Sequence, residues 1–176
     1  IDADDVLLPD SLSSRYEALS QSDRLWVHAE AWNLLSNGAI TKPYPKNNRQ
    51  RFRELRAEGR DLTKWYTHRL IHAQTVMLKR EFHEKLGLYD ESLRFSSDNE
   101  MWRRAIRFGV IPIYLQRAVA LYRIHGKRMS RSAYKQQWVD RVKKYINDVI
   151  EWRFQEGINA ETTSLLGTEP VEVPEQ

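Results

Sequence analysis

Three carboxylates crowd the first five residues, Asp2-Ala3-Asp4-Asp5, just ahead of Leu7-Leu8-Pro9. Like charges at this spacing repel, so the cluster is costly unless water, helix N-terminal amides or a cation offsets it. A hard divalent ion does this well, because Mn2+ or Mg2+ takes one or two protein carboxylates and completes its shell with water and phosphate oxygens. An acidic turn before a helix accounts for the same residues without an ion. The second candidate is Asp98, within Ser96-Ser97-Asp98-Asn99-Glu100. Exposed at a helix start and facing a cleft, it could take a proton as general base. Equally, Ser97 and Glu100 have capping-box spacing, and Asp98 then only complements the helix dipole. The third is His125, which follows Leu121-Tyr122-Arg123-Ile124. A histidine after a strand is either a metal ligand or an ordinary hydrogen-bonded group.

The elements that must hold these residues follow from the apolar pattern. Ile1 to Asp5 reads as the end of a buried strand running into an acidic loop, with a proline-started helix from Pro9 to Leu19. Leu25 to Leu35 has strand-like apolar density, closed by the turn pair Asn37-Gly38. Asp61 to Leu70 reads as a short helix and His72 to Leu78 as a strand. A helix over Arg80 to Leu86 should stop at Gly87, and an amphipathic helix over Asp98 to Phe108, burying Trp102, Ala105, Ile106 and Phe108, at Gly109. Strands are expected over Val110 to Leu115 and Ala118 to His125. From Arg131 to Phe154 a long helix places Trp138, Val142, Tyr145, Val149 and Trp152 on one apolar stripe.

Composition limits the classes. A chain of 176 residues, 41% hydrophobic and 30% charged, can bury one globular core. It holds no cysteine, which excludes disulfides and thiolate metal sites and leaves carboxylate and imidazole ligands. No apolar run has the length of a membrane span and no signal-peptide pattern opens the chain, so a cytoplasmic protein is expected. The net charge is +4, and setting aside the four Glu of residues 158 to 176, an acidic tail expected to be flexible, leaves the body at about +8. The body therefore favours anionic partners. Residues 42 to 60, with Lys42, Lys46, Arg49, Arg51 and Arg53, either touch such a partner or form a solvated helix face.

Taken in order, the Asp-Ala-Asp-Asp cluster before a proline-started helix, Met77-Leu78-Lys79-Arg80-Glu81-Phe82 through Leu86-Gly87-Leu88-Tyr89-Asp90-Glu91, Ser97-Asp98 with Glu100, Trp102 and Arg103, and Tyr122-Arg123 with His125 form a collinear set. This set, over residues 1 to 132, resembles the second half of the inverting family 2 glycosyltransferases with the GT-A fold. The resemblance implies an α/β fold, an incomplete GT-A mixed sheet flanked by helices with a long C-terminal helix. Residues 1 to 157 would form the metal and acceptor side, and the nucleotide-binding half would precede Ile1. It further implies that Asp4 binds a Mn2+ or Mg2+ cofactor, that Asp2 and Asp5 help hold the metal or the donor, that Asp98 is the base and that His125 is a second metal ligand. The residue before the base is Ser97 here, where the family usually has Glu or Gly.

The partners so implied are a nucleoside diphosphate sugar and a saccharide or other hydroxyl acceptor, with inversion at the anomeric carbon. A chain lacking the nucleotide half should be inactive alone and prone to self-association through uncovered strand edges. His72 and Trp65 would suit an acceptor site or a packed core equally. The absence of a Gln-x-x-Arg-Trp element points to single additions. The competing readings are a basic nucleic-acid-binding module, which leaves the acidic cluster unexplained, and a non-catalytic scaffold using the Trp138 to Trp152 stripe.

Overall fold

In the computed structural model the described residues are 1–42, 71–93, 96–126, 144–145, 147–149 and 151. They fall in two compact units, one of Ile1–Lys79 with Val110–His125 and one of Arg80–Gly109 with Gly126–Gln176. The expected helix over Asp61 to Leu70, Trp65, the basic residues after Lys42 and the acidic tail lie outside the described residues.

The first unit is a mixed sheet with one helix against it. Its elements are β1 (Val6–Leu7), α1 (Ser11–Ser20), β2 (Trp26–Leu35), β3 (Ile40–Thr41), a single 3-10 turn (Ala73–Thr75), β4 (Met77–Leu78) and β5 (Ile113–Ile124). The strand order is β1-β5-β2-β3, with β4 also on β2. β2 runs parallel to β5 along its length, while its other edge is shared by β4 at Trp26–Val27 and β3 at Asn33–Leu34, both antiparallel. The α/β class and the mixed sheet expected from the sequence are what the structure has.

Physical reasons for this arrangement are local. Trp26, Val27, His28 and Ala29 are consecutive and all buried, so the start of β2 is covered on both faces. Trp26 Nε1 donates to Val110 O at 2.8 Å, which satisfies the indole inside the core. On α1 the buried positions Ser11, Arg15 and Leu19 recur every fourth residue, one face of a helix packed against β2 and β5. At the hairpin, Gly38 takes φ 83° and Asn37 Oδ1 accepts Ala39 N–H at 3.0 Å, the turn that Asn37-Gly38 signals.

Several boundaries differ from expectation. Ile1 to Asp5 is not the end of a buried strand: Ile1 is 69% exposed, and Asp5 N–H closes a turn on Asp2 O at 3.2 Å. The strand follows the acidic cluster, where Val6 and Leu7 pair with Leu121 and Ala120. The helix begins at Ser11, after Asp10 in the left-handed region (φ 61°), whose carbonyl accepts Ser14 N–H at 3.0 Å. His72 to Leu78 is not one strand, because Thr75 N–H folds back to His72 O at 2.9 Å and leaves only Met77–Leu78 to pair. Conversely, the two strands expected from Val110 to His125 are one. The polar Gln116-Arg117 that suggests a break is absorbed as a register shift opposite His28 to Glu30.

The second unit contains α2 (Arg80–Leu86) and α3 (Ser97–Arg107). Both end where expected, at Gly87 (φ 80°) and Gly109 (φ 76°). The capping box does not form. Ser96, at φ 61° and without a side-chain cap, precedes the helix, and Glu100 turns inward instead. Trp102, Ala105 and Ile106 of the expected apolar face are buried and Phe108 half-buried, but the polar face is covered as well, with Glu100, Arg103 and Arg104 buried. Two of the buried charges are matched: Arg104 Nη2 donates to Glu100 Oε2 at 2.7 Å and to Leu88 O at 2.9 Å, and its Nη1 donates to Leu86 O at 2.6 Å. One guanidinium thus neutralises a carboxylate and satisfies a carbonyl left open at the end of α2.

Of the long helix expected from Arg131 to Phe154, residues 144, 145, 147–149 and 151 are helical. Tyr145 and Val149 on the expected stripe are half-buried, whereas Lys144, Asn147 and Asp148 are exposed. Trp138, Val142 and Trp152 lie outside the described residues. Among the described residues no helix is long and apolar enough to cross a membrane.

His28 sets an acid limit on the first unit. It is 3% exposed and stacks on Tyr114 at 4.8 Å and 13°, and burial pushes its imidazole down to about 3. The folded state therefore resists a proton that the unfolded chain accepts below about 6.5. Stability is complete above that pH and falls by roughly 1.4 kcal/mol per pH unit from about 6.5 towards 3. His72, pushed down to about 4 by burial, adds a loss of the same sign. Urea unfolding from pH 7 to 5 should show this slope, and His28→Phe, which keeps the stacking, should flatten it by about one proton.

Candidate functional site

The fold brings two of the sequence candidates into contact. The acidic turn precedes β1, which pairs with β5, and His125 follows the last residue of β5, so pairing sets the turn beside the strand end. His125 Nε2 lies 2.8 Å from Asp4 Oδ2 across 121 residues of sequence. A carboxylate only accepts, so Nε2 carries the proton and donates it. This hydrogen bond holds the Asp4 carboxyl below its usual range, assisted by the charges of His125 and Arg123. Both side chains remain partly open to solvent, 48% for Asp4 and 36% for His125.

The neighbouring carboxylate has a different environment. Asp5 Oδ1 accepts Arg123 N–H at 2.9 Å, and Oδ2 accepts Gln74 Nε2–H at 2.7 Å. Partial burial pushes its carboxyl up, opposed by the Arg123 amide and reinforced by Asp4 and Asp2. Arg123 also returns through its side chain, Nε donating to Asp4 O at 2.7 Å. Asp2 is exposed, and its carbonyl forms the turn to Asp5.

Gln74 is held in turn by α1. The buried Arg15 donates from Nη1 to Gln74 O at 3.2 Å and to Val76 O at 3.0 Å, while Nε and Nη2 are bonded to Ser11. Beside this, His72 packs on Tyr122 at 5.5 Å. Neither Gln74 nor Arg15 is marked by any sequence motif, because their part depends on contacts about 60 to 70 positions away. Lys42, the described member of the basic segment, lies over the Trp32 ring at 5.3 Å.

Asp98 belongs to the second unit, half-buried in the first turn of α3. Tyr89 packs edge-on against Trp102 at 6.3 Å and stays 40% exposed. Burial raises the Tyr89 phenol above its ordinary range, and the nearby Asp98 charge raises it further. The preceding Asp90 is tied down by Ser92 Oγ at 2.6 Å and Ser92 N–H at 3.1 Å, with Tyr145 OH at 3.4 Å.

Among the described residues no group of three or more His, Cys, Asp or Glu side chains converges as a metal cage. What converges is a pair, one carboxylate oxygen and one imidazole nitrogen at hydrogen-bond distance and open to solvent. That set fits a hard divalent ion that keeps its other positions for water and phosphate.

No protein-family model matches the chain. Over 70 residues, 39% of the chain, it is 34% identical to an uncharacterized glycosyltransferase of Rickettsia prowazekii (strain Madrid E) and covers 21% of that protein. Over a segment of the same size it is 31% identical to an uncharacterized glycosyltransferase of Rickettsia typhi (strain ATCC VR-144 / Wilmington), again covering 21%. The match thus spans about a fifth of the length of these relatives. Through this segment the chain is related to proteins named as glycosyltransferases.

Proposed function

We propose that this chain is the metal and acceptor side of an inverting, family 2-like glycosyltransferase with a GT-A fold, which passes a sugar from a nucleoside diphosphate to an acceptor hydroxyl. The observation that carries the reading is the 2.8 Å contact between Asp4 and His125, brought together from the two ends of the first unit. It is supported by the relationship to glycosyltransferase-named proteins.

Asp4 and His125 would hold Mn2+ or Mg2+, with Nε2 giving up its shared proton to bind. When bound, the ion supplies a positive charge that stabilises the departing diphosphate. Arg123 holds the main chain of the acidic turn through Asp4 O, fixing where the Asp4 carboxylate stands. Asp98, at a helix start, would accept the proton of the attacking hydroxyl. Tyr89 stands near that carboxylate and is 40% exposed, an aromatic side chain of the kind that suits a sugar.

Isothermal titration of a nucleoside diphosphate with and without Mn2+ tests the metal half of this reading. Affinity should require Mn2+ and be lost in both Asp4→Ala and His125→Ala. Equal binding in EDTA, or binding that needs no divalent ion and falls steeply with salt as for a nucleic-acid module, would overturn it.

A further inference from the structure

Asp5 differs from its neighbour in what its oxygens already do. Both are engaged, Oδ1 by the Arg123 amide on β5 and Oδ2 by the Gln74 side chain on the 3-10 turn. Asp4 Oδ2 is bonded to the exchangeable partner His125 and is more open to water. A ligand must offer a lone pair in an accessible direction, and Asp5, half-buried and with one lone pair of each oxygen already spent, has less open acceptor capacity than the exposed Asp4.

The supporting chain behind Asp5 is continuous. Arg15, buried on α1, holds the carbonyls of Gln74 and Val76 on either side of Thr75, and Gln74 then reaches Asp5. Asp5 is bonded to the backbone of Arg123, two residues before His125, and Arg123 Nε reaches back to Asp4 O. Three segments distant in sequence, residues 2–5, 73–76 and 123–125, are thereby joined through Asp5, next to the Asp4–His125 pair.

We infer that Asp5 is a positioning residue and not a metal or donor ligand, and that Gln74, held by Arg15, is its partner in a latch that keeps Asp4 facing His125. This deepens the proposed function and rests on it for the identity of the ion. The latch itself is a property of the metal-free protein.

The inference separates charge from shape at position 5. Asp5→Asn removes the charge but keeps the hydrogen bonds, since the asparagine oxygen accepts from Arg123 N–H and Gln74 can turn its amide to accept from the asparagine NH2. Asp5→Ala and Gln74→Leu break the latch. In Mn2+ titrations followed by the electron paramagnetic resonance of the free ion, Asp5→Ala and Gln74→Leu should each weaken binding about tenfold, and Asp5→Asn should restore it to within about threefold of the parent. Loss of binding in Asp5→Asn as complete as in Asp4→Asn would make Asp5 a ligand and overturn the inference.

The metal-free readout is the backbone amide of Arg123 and the His125 ring nitrogens by 15N NMR. The Arg123 amide should be protected from exchange in the parent and in Asp5→Asn, and both it and the His125 signature should shift in Gln74→Leu. Unchanged spectra in Gln74→Leu would overturn the latch. If the parent binds no Mn2+ while these shifts occur as stated, the metal reading fails and the latch stands.

Discussion

In the chain joined to the nucleotide-binding half that the resemblance implies, asparagine in place of Asp98 is expected to lower kcat of sugar transfer by about two to four orders of magnitude, the usual contribution of a positioned general base. The substitution is close to isosteric. It removes a charge from the first turn of α3 that complements the helix dipole, which costs about 0.3–1 kcal/mol of stability and leaves the fold intact. KM for the donor should change little, because the proposed base acts on the acceptor hydroxyl and not on the diphosphate. Transfer kinetics beside a thermal melt separate these effects. A kcat within about tenfold of the parent would remove Asp98 from the base role.

The second large effect is on folding. Arg104→Ala removes the 2.7 Å ion pair of the fully buried Glu100 carboxylate, and strips these donors from Leu86 O and Leu88 O. Breaking one side of a buried pair in this way costs about 3–5 kcal/mol. For a chain of this size that corresponds to a fall in Tm of roughly 10 °C. Replacing both partners should recover part of the loss, because Glu100→Met with Arg104→Met removes both charges of this buried pair. A double variant no better than Arg104→Ala would mean that the carbonyls at the end of α2, and not the carboxylate, dominate the cost.

Much of the fold is legible where the determinants are local. Gly87 and Gly109 end their helices because each takes a positive φ that other residues avoid, and Asn37-Gly38 closes its hairpin for the same reason. The apolar density over Trp26 to Leu35 marks β2 directly. The capping box misleads because Ser97 and Glu100 have the right spacing for a cap, while the deciding partner of Glu100 is Arg104, one turn on and buried with it. Ile1 to Asp5 resembles the strand itself because an apolar residue before an acidic cluster does not reveal which side of the cluster pairs.

At the site, Asp4 and His125 are legible by residue type and order, but their contact depends on β1 pairing with β5. The two jobs of Asp4 and Asp5, adjacent and chemically identical, cannot be told apart along the chain. They differ only in what faces them, and Gln74 faces Asp5 from 69 positions away.

The parallel pairing of β2 with β5 has a consequence in time. β5 lies between β1 and β2 in the sheet, yet it is the last in the chain of the five described strands. During synthesis the earlier strands emerge without their central neighbour, and no hairpin can supply it, because parallel neighbours need a long crossover. The sheet must wait for residue 124, holding strand edges that invite wrong partners on a ribosome adding only about 5–20 residues per second. The Asp4–His125 contact therefore closes only after β5 has emerged, late among the contacts of the first unit.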